Sequence, residues 1–301
     1  MKLFDENKRF YKGNLHTHTK NSDGRRTPDE AKELYSSNDY DFLALTDHWK
    51  ITAPKPEMYR NMLVLPGVEL DYWLHDQVVH IVGINPDVSL LDNVSKGQSI
   101  RKGIQEIKKA GGRAILAHPA WSLNTPEVIA NLAKECAAAE VFNSLSRFPY
   151  NSDRGDATLL LDITAAQGTL INTVADDDTH FYVGEECGGF IMAQMDDLDA
   201  ASVNKALDTG SYYSSMGPLV HQVEIVGNEI HVDCSAVQGI VFHSNLPWVR
   251  DRSRSAMNNE TDGNGLLTGA TYTIQPDDTY VRIMLIGADG KRAWVNPISV
   301  R

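Results

Sequence analysis

Two histidines one residue apart, His16 and His18, stand in the stretch GNLHTHTKNSDG, and Asp23 follows within the same dozen residues. Imidazole nitrogens and carboxylate oxygens are what divalent zinc, iron and manganese take as ligands, but one such pair decides little. The same residue types recur along the chain. His48 stands in TDHW, Glu69 follows MLVLPGV, His80 lies in VVHIVGI, His118 ends AILAHP, and Asp178 and His180 close DDDTH. Side chains of this kind, brought together, could serve metal-assisted hydrolysis. Cys136, Cys187 and Cys234 are too scattered for a CxxC pair and too few for a disulfide framework, so they read as buried thiols.

The positions of these residues make sense only against the elements that carry them. From Lys12 to about Gly210, short apolar or β-branched runs alternate with helical patterns, as in an α/β domain with a mostly parallel sheet. Strands are expected at 14–19, 42–46, 62–65, 78–84, 113–117, 140–142, 170–175 and 190–194. Thr27-Pro28-Asp29-Glu30 reads as a helix start with a capping box, and Thr125-Pro126-Glu127 repeats the cap-then-proline device. Ile100, Ile104 and Ile107 share a helix face that Gly111-Gly112 ends. On this reading His16 and His18 leave one face of a strand, and most of the other candidates sit at or just beyond strand carboxyl ends, where such folds build their sites.

After Met216-Gly217-Pro218 the pattern changes. Alternating runs around Gly227-Asn228 and around Asp289-Gly290 read as hairpins, and a polar loop, 250–265, separates them. Residues 1–217 and 218–301 therefore read as two domains, the second a small β-sandwich. His221, His231 and His243 fall in that tail without a carboxylate pattern and are assigned to structure. His75 with Asp76 could replace His80 if the strand register were shifted.

Composition narrows the partners. At 301 residues, 42% hydrophobic and 23% charged, the chain is long enough for a large core. A net charge of -12 with only short Lys and Arg clusters argues against a nucleic-acid polymer as partner. No apolar run approaches membrane-spanning length, and the opening MKLFDENKRF lacks the apolar centre of a signal peptide, so a cytoplasmic location with no membrane contact is expected.

Taken in order, HxH, Asp, LTDH, PGVE, a strand His, AHP and DxH resemble the PHP (polymerase and histidinol phosphatase) family of metal-dependent phosphoesterases, over about Leu15 to Pro218. EVFN at Glu140 to Asn143, TGSYYSSMGP at Thr209 to Pro218 and the β-rich tail are similar to its carbaryl-hydrolase-like branch. The resemblance implies a distorted (β/α)7 barrel followed by a small all-β domain, and a trinuclear centre of zinc, manganese or iron. By it, His16, His18, Glu69 and Asp178 would hold the first ion. Glu69 would bridge to a second, held with His80 and His118, and Asp23, His48 and His180 would hold a third.

Two or three divalent ions against three carboxylates leave a cationic pocket, which favours a small phosphorylated substrate such as a nucleotide or sugar phosphate. The expected reaction is phosphate-ester hydrolysis by a metal-bridging hydroxide, with Asp178 or His180 orienting the water or protonating the leaving group. Asn143, Arg147, Lys20 and Arg25 lie in segments that could reach the phosphate. Carbamate or carboxyl-ester hydrolysis by the same centre is the alternative, and a non-catalytic, metal-stabilised binding module is a third reading.

Overall fold

The computed structural model describes residues 1–5, 7–257, 261 and 265–301. The first part of the chain runs β1 (Arg9–Asn14), α1 (Pro28–Ser36), β2 (Phe42–Leu45), β3 (Glu57–Tyr59), β4 (Met62–Leu74), β5 (Gln77–Ile84), α2 (Ile100–Lys109), β6 (Arg113–Leu116), α3 (Pro126–Ala133), β7 (Ala138–Asn143), α4 (Thr158–Ala166), β8 (Asn172–Asp176), β9 (Phe190–Met195), α5 (Ala200–Thr209) and β10 (Tyr212–Ser215). The rest is strands: β11 (Val220–Val226), β12 (Glu229–Val237), β13 (Gly239–Ser244), β14 (Ser253–Ser255), β15 (Leu267–Thr273), β16 (Tyr280–Ile286), β17 (Arg292–Val295) and β18 (Ile298–Ser299). Fifteen strands join one sheet along the path β14-β13-β16-β17-β10-β9-β1-β2-β4-β5-β6-β7-β8, with β18 on β16 and β3 on β4, while β11-β12-β15 form a separate sheet. The architecture is mixed α/β, with one large sheet and few helices.

Local sequence explains the helices. Thr27 caps α1, with its hydroxyl accepting from the Glu30 N–H and the Glu30 carboxylate accepting from the Thr27 N–H. At α3 and α2 only the cap hydroxyl takes part, Thr125 accepting from the Val128 N–H and Ser99 from the Lys102 N–H. The fully buried Ile104 and Ile107 lock α2 onto Val68, Leu70, Ile81 and Leu116 of the sheet. Each such side chain contributes about 1.5–3 kcal/mol by burial.

The sheet is less parallel than the sequence pattern predicts. β1–β2, β2–β4, β6–β7 and β7–β8 are parallel, but β4–β5, β5–β6 and β1–β9 are antiparallel. Between β4 and β5 the cause is a two-residue turn at His75-Asp76, both with positive φ (50° and 60°), the conformation that joins antiparallel strands tightly. His75 is therefore an exposed turn residue, and it leaves His80 in place on β5. The same turn lets β4 run for 13 residues through Pro66-Gly67, so Glu69 lies within a strand rather than after one. β1 ends at Asn14, so His16 and His18 lie past a strand and not on it. Within the expected polar loop, Ser253–Ser255 pair with β13, and 258–260 and 262–264 lie outside the described residues.

The C-terminal strands are tied to the first part by buried side chains. Val223, Ile230 and Val232 of the small sheet share a cluster with Phe242, Ile283 and Leu285 of the large one. Trp294 of β17, fully buried, stacks on Phe142 at a centroid distance of 6.0 Å, and its Nε1 donates to Thr158 Oγ1 at 2.8 Å. Among the described residues no helix is long and apolar enough to cross a membrane. Replacing Trp294 with alanine is expected to destabilise the whole chain by about 3–5 kcal/mol, read as a shift of the urea midpoint. A loss below about 1 kcal/mol would show that the ring does not join the two parts.

Candidate metal centre

Past β1 regular strand pairing ends, and the backbone is held by side chains and by single bonds to neighbouring segments. The N–H of Leu15 donates to Asp176 Oδ1 (2.8 Å), that of Thr17 to Thr46 Oγ1 (2.9 Å) and that of Thr19 to Asp47 Oδ1 (2.7 Å). The His18 N–H donates to the Thr179 carbonyl (2.9 Å), and the Asp178 N–H to the His16 carbonyl (2.9 Å). These bonds stitch the HxH segment to the DDDTH segment. His16 and His18, remote in sequence from Asp178, are thereby brought against it.

Three groups of ligand atoms result: His16, His18, Glu69 and Asp178; Glu69, His80 and His118; and His18, Asp23, His48 and His180. The first is the most compact. His16 Nε2 lies 3.1 Å from His18 Nε2, 3.3 Å from Glu69 Oε2 and 3.2 Å from Asp178 Oδ1. His18 Nε2 lies 3.0 Å from Glu69 Oε2 and 3.2 Å from Asp178 Oδ1. Four ligands about 2.0–2.1 Å from a tetrahedral zinc stand about 3.3 Å from one another, so these spacings suit one ion at the centre.

The hydrogen-bond partners assign the protons. His16 Nδ1 lies 2.6 Å from Glu140 Oε1, which makes it the donor there and leaves Nε2 as the nitrogen that faces the cluster. His180 Nδ1 donates to the Asp178 carbonyl at 2.7 Å, which frees its Nε2 towards Asp23. Glu69 Oε2 and Asp178 Oδ1 are buried with no hydrogen-bond partner. Converging acceptors without donors are costly in a protein interior, and a cation is what resolves the cost. The donor set thus fits divalent ions.

Glu69 reaches the second group through its other oxygen, with His80 Nδ1 at 2.7 Å and His118 Nε2 at 3.1 Å from Oε1. In the third group Asp23 lies 3.4 Å from His18 Nδ1, 3.6 Å from His48 Nε2 and 3.5 Å from His180 Nε2. His18 thus faces the first group with one nitrogen and the third with the other. Burial opposes charge on His16 and His18, yet the surrounding carboxylates outweigh it and raise both rings well above an ordinary imidazole. Glu69, Asp178 and Asp23 are lowered despite burial, because histidines surround them. Burial lowers His48. His118 and Asp178 both adopt positive φ, 26° and 56°, and backbone strain of this kind gathers at functional sites.

The cluster opens into a cavity of about 250 Å3 whose wall, besides ligands, is formed by Trp121, Leu145, Ser146, Asn151 and Phe181. No periodic pattern in the sequence marks these residues. Trp121 and Phe181 do sit close behind the ligands His118 and His180. The side chains expected to reach substrate do not line this cavity. Asn143 is buried and donates to Glu140 Oε2 (2.8 Å) and Asp178 Oδ2 (3.2 Å). Arg147 donates to the Gly184 carbonyl (3.2 Å), Lys20 is exposed, and exposed Arg25 stacks on Phe181 at 4.8 Å. Sequence reasoning also passed over two buried carboxylates that hold ligand-bearing loops. Asp47 binds Thr19 and Ser22, and Glu185 accepts the N–H groups of His180 and Phe181.

No family model matches the chain. Over 81 residues it is 37% identical to the 5'-3' exoribonuclease Rnm of Salmonella typhimurium, a match that spans 25% of this chain and 28% of that protein. Among solved structures, a two-domain protein from Bacteroides vulgatus containing a predicted PHP-like metal-dependent phosphoesterase superposes with a TM-score of 0.55 at 14% identity, covering 99% of this chain and 96% of that one. An amidohydrolase from Chromobacterium violaceum gives 0.44 at 17% identity, over 57% of this chain and 89% of that one. The chain has the PHP-like fold of the Bacteroides protein.

Divalent manganese or zinc at a hundredfold excess over its dissociation constant should stabilise the chelator-treated protein by about 2.7 kcal/mol, seen as a higher melting temperature. Metal-free His16 and His18 hold protons more firmly than free imidazole, so binding must displace them, and apparent affinity should fall as pH is lowered from about 8 to about 6. Calorimetry in buffers of differing ionisation enthalpy counts the protons released. A pH-independent affinity would contradict the assigned ligands.

Proposed function

We propose that this chain is a PHP-family metal-dependent hydrolase that cleaves phosphate esters of a small molecule. The observation that carries this reading is the first ligand group: two buried imidazole nitrogens, each within 3.3 Å of the other and of two buried carboxylate oxygens that have no hydrogen-bond partner. The scaffold we infer is a distorted (β/α)7 barrel in residues 1–217 with a small β-sandwich-like domain in 218–301. Support comes from the arc of β9, β1, β2, β4, β5, β6, β7 and β8 that carries the ligands, and from the cluster shared between the second sheet and the C-terminal strands.

His16, His18, Glu69 and Asp178 would hold one ion, Glu69, His80 and His118 a second, and Asp23, His48 and His180 a third, with zinc, manganese or iron compatible with the donors. Bound there, such ions supply Lewis acidity and a water that ionises near neutral pH. The residues do the rest. Asp178 keeps one oxygen towards the cluster while Asn143 fixes the other, so its orientation is set before substrate arrives. His180, with Nδ1 bonded to the Asp178 carbonyl, presents Nε2 at the cavity wall, where it would hold a proton for the leaving group with two ions bound and would serve as a ligand with the third bound. Trp121, Leu145 and Phe181 limit water around the reacting atoms.

At about 250 Å3 the cavity is smaller than the roughly 300–1,000 Å3 of ordinary ligand pockets, so it takes only a small substrate or the reacting end of one. Among the described residues its wall carries no Lys or Arg to follow a phosphodiester backbone, and the ribonuclease likeness spans too little of that protein to carry its substrate across. The same apolar wall favours a second reading, hydrolysis of a carbamate or carboxyl ester. Phenol release from phenyl phosphate and from a phenyl carbamate separates the two. Turnover of the phosphate, reduced about 100-fold or more by Asp178→Asn, is the expected result. Turnover of the carbamate alone would replace the phosphatase assignment.

A further inference from the structure

We propose that Glu140 is a positioning residue of this centre, a single buried carboxylate that orients His16 through its ring, His118 through its backbone and Asp178 through Asn143. The inference rests on the reading of the cluster as a metal centre and extends it to a residue that is not itself a ligand. Glu140 is 1% exposed, near the end of β7, in the middle of the ligand array. Its Oε1 lies 2.6 Å from His16 Nδ1. Its Oε2 accepts the His118 N–H at 2.8 Å and the Asn143 amide at 2.8 Å, and that amide also reaches Asp178 Oδ2 at 3.2 Å.

Three consequences follow from that geometry. The Nδ1 proton of His16 is held, so only Nε2 can coordinate, and the negative partner makes that nitrogen a better donor. The His118 backbone, at a φ of 26° before Pro119, is pinned in a conformation that L side chains rarely adopt. Asp178 is aligned by an amide that Glu140 itself orients. Glu140 has both oxygens bonded to donors and belongs to none of the three ligand groups, which separates it from Glu69, whose Oε2 has no hydrogen-bond partner.

Glutamine at this position tests the inference because it is isosteric yet cannot serve three donors. Its carbonyl can accept from His16, but its NH2 would then face the His118 N–H and the Asn143 amide, donor against donor. Metal affinity of chelator-stripped protein, measured by competition with a buffered chelator, should fall about 10–100-fold in Glu140→Gln. Asp278→Asn removes a carboxylate equally buried but placed among the C-terminal strands, where it accepts from Tyr272 Oη and the Gln275 N–H. That variant should bind metal within about twofold of the unaltered chain, which separates a positioning role from general loss of stability. Unaltered affinity in Glu140→Gln overturns the inference while leaving the metal centre intact. No metal binding by the unaltered chain would instead remove the centre, and the role of Glu140 with it. Should Glu140→Gln fail to fold, nitrogen-15 spectra of the labelled, zinc-loaded unaltered protein decide: a proton on His16 Nδ1 supports the role, and a proton on Nε2 overturns it.

Discussion

Two carboxylate oxygens and two imidazole nitrogens, all buried and all turned on one point, repel one another unless a positive charge stands among them. Everything else in this molecule is arranged around that requirement. Protons can answer it in part, which is why His16 and His18 are driven well above the ordinary imidazole range by Asp178, Glu69 and their neighbours despite full burial. Glu69 and Asp178 each keep a buried oxygen without any donor, so protons on the two rings do not complete the balance. A divalent ion does, at spacings of 3.0–3.3 Å that already suit its coordination.

Holding such a cluster open requires rigid support, and the support is polar as well as apolar. A conventional strand would pair the backbone of 15–19 with a neighbour and leave the histidines to alternate. Here side-chain oxygens of Asp176, Thr46 and Asp47 take the N–H groups instead, and the two ligand-bearing segments bond to each other. Behind them, Asp177 accepts from Asn14, Tyr35 and the N–H groups of Cys187, Gly188 and Gly189. Asp47 and Asp177 each serve several donors, which offsets the cost of their own burial. The apolar layers then fix where the strand ends stand, with α2 locked over β4 to β6 by its isoleucines.

How far the sequence disclosed this depends on the kind of signal. Helix starts at Thr27 and Thr125 were legible because capping is local chemistry, and the hairpin at Gly227-Asn228 because turn residues are. The ligand residues stood out because histidine beside a strand end is uncommon and the pattern repeats. The direction of β5 was not legible, since His75-Asp76 lacks the glycine that usually marks so tight a turn. Glu140 was visible only as one letter of EVFN, because a buried carboxylate that bonds backbone groups far along the chain leaves no local pattern. Arg147 and Arg25 drew notice for their charge, yet packing turned one to a carbonyl and the other onto a ring. Charge identifies what a residue could bind; only tertiary structure decides what it faces.

The central claim is spatial, so the most direct measurement locates electrons. Diffraction from crystals grown with zinc or manganese, collected on both sides of the metal absorption edge, maps each ion by its anomalous signal. The account predicts a strong peak about 2.0–2.2 Å from His16 Nε2, His18 Nε2, Glu69 Oε2 and Asp178 Oδ1, with Glu69 Oε1 turned to a second peak shared with His80 and His118. Featureless anomalous density between those four atoms, in crystals that carry the metal elsewhere, would contradict it.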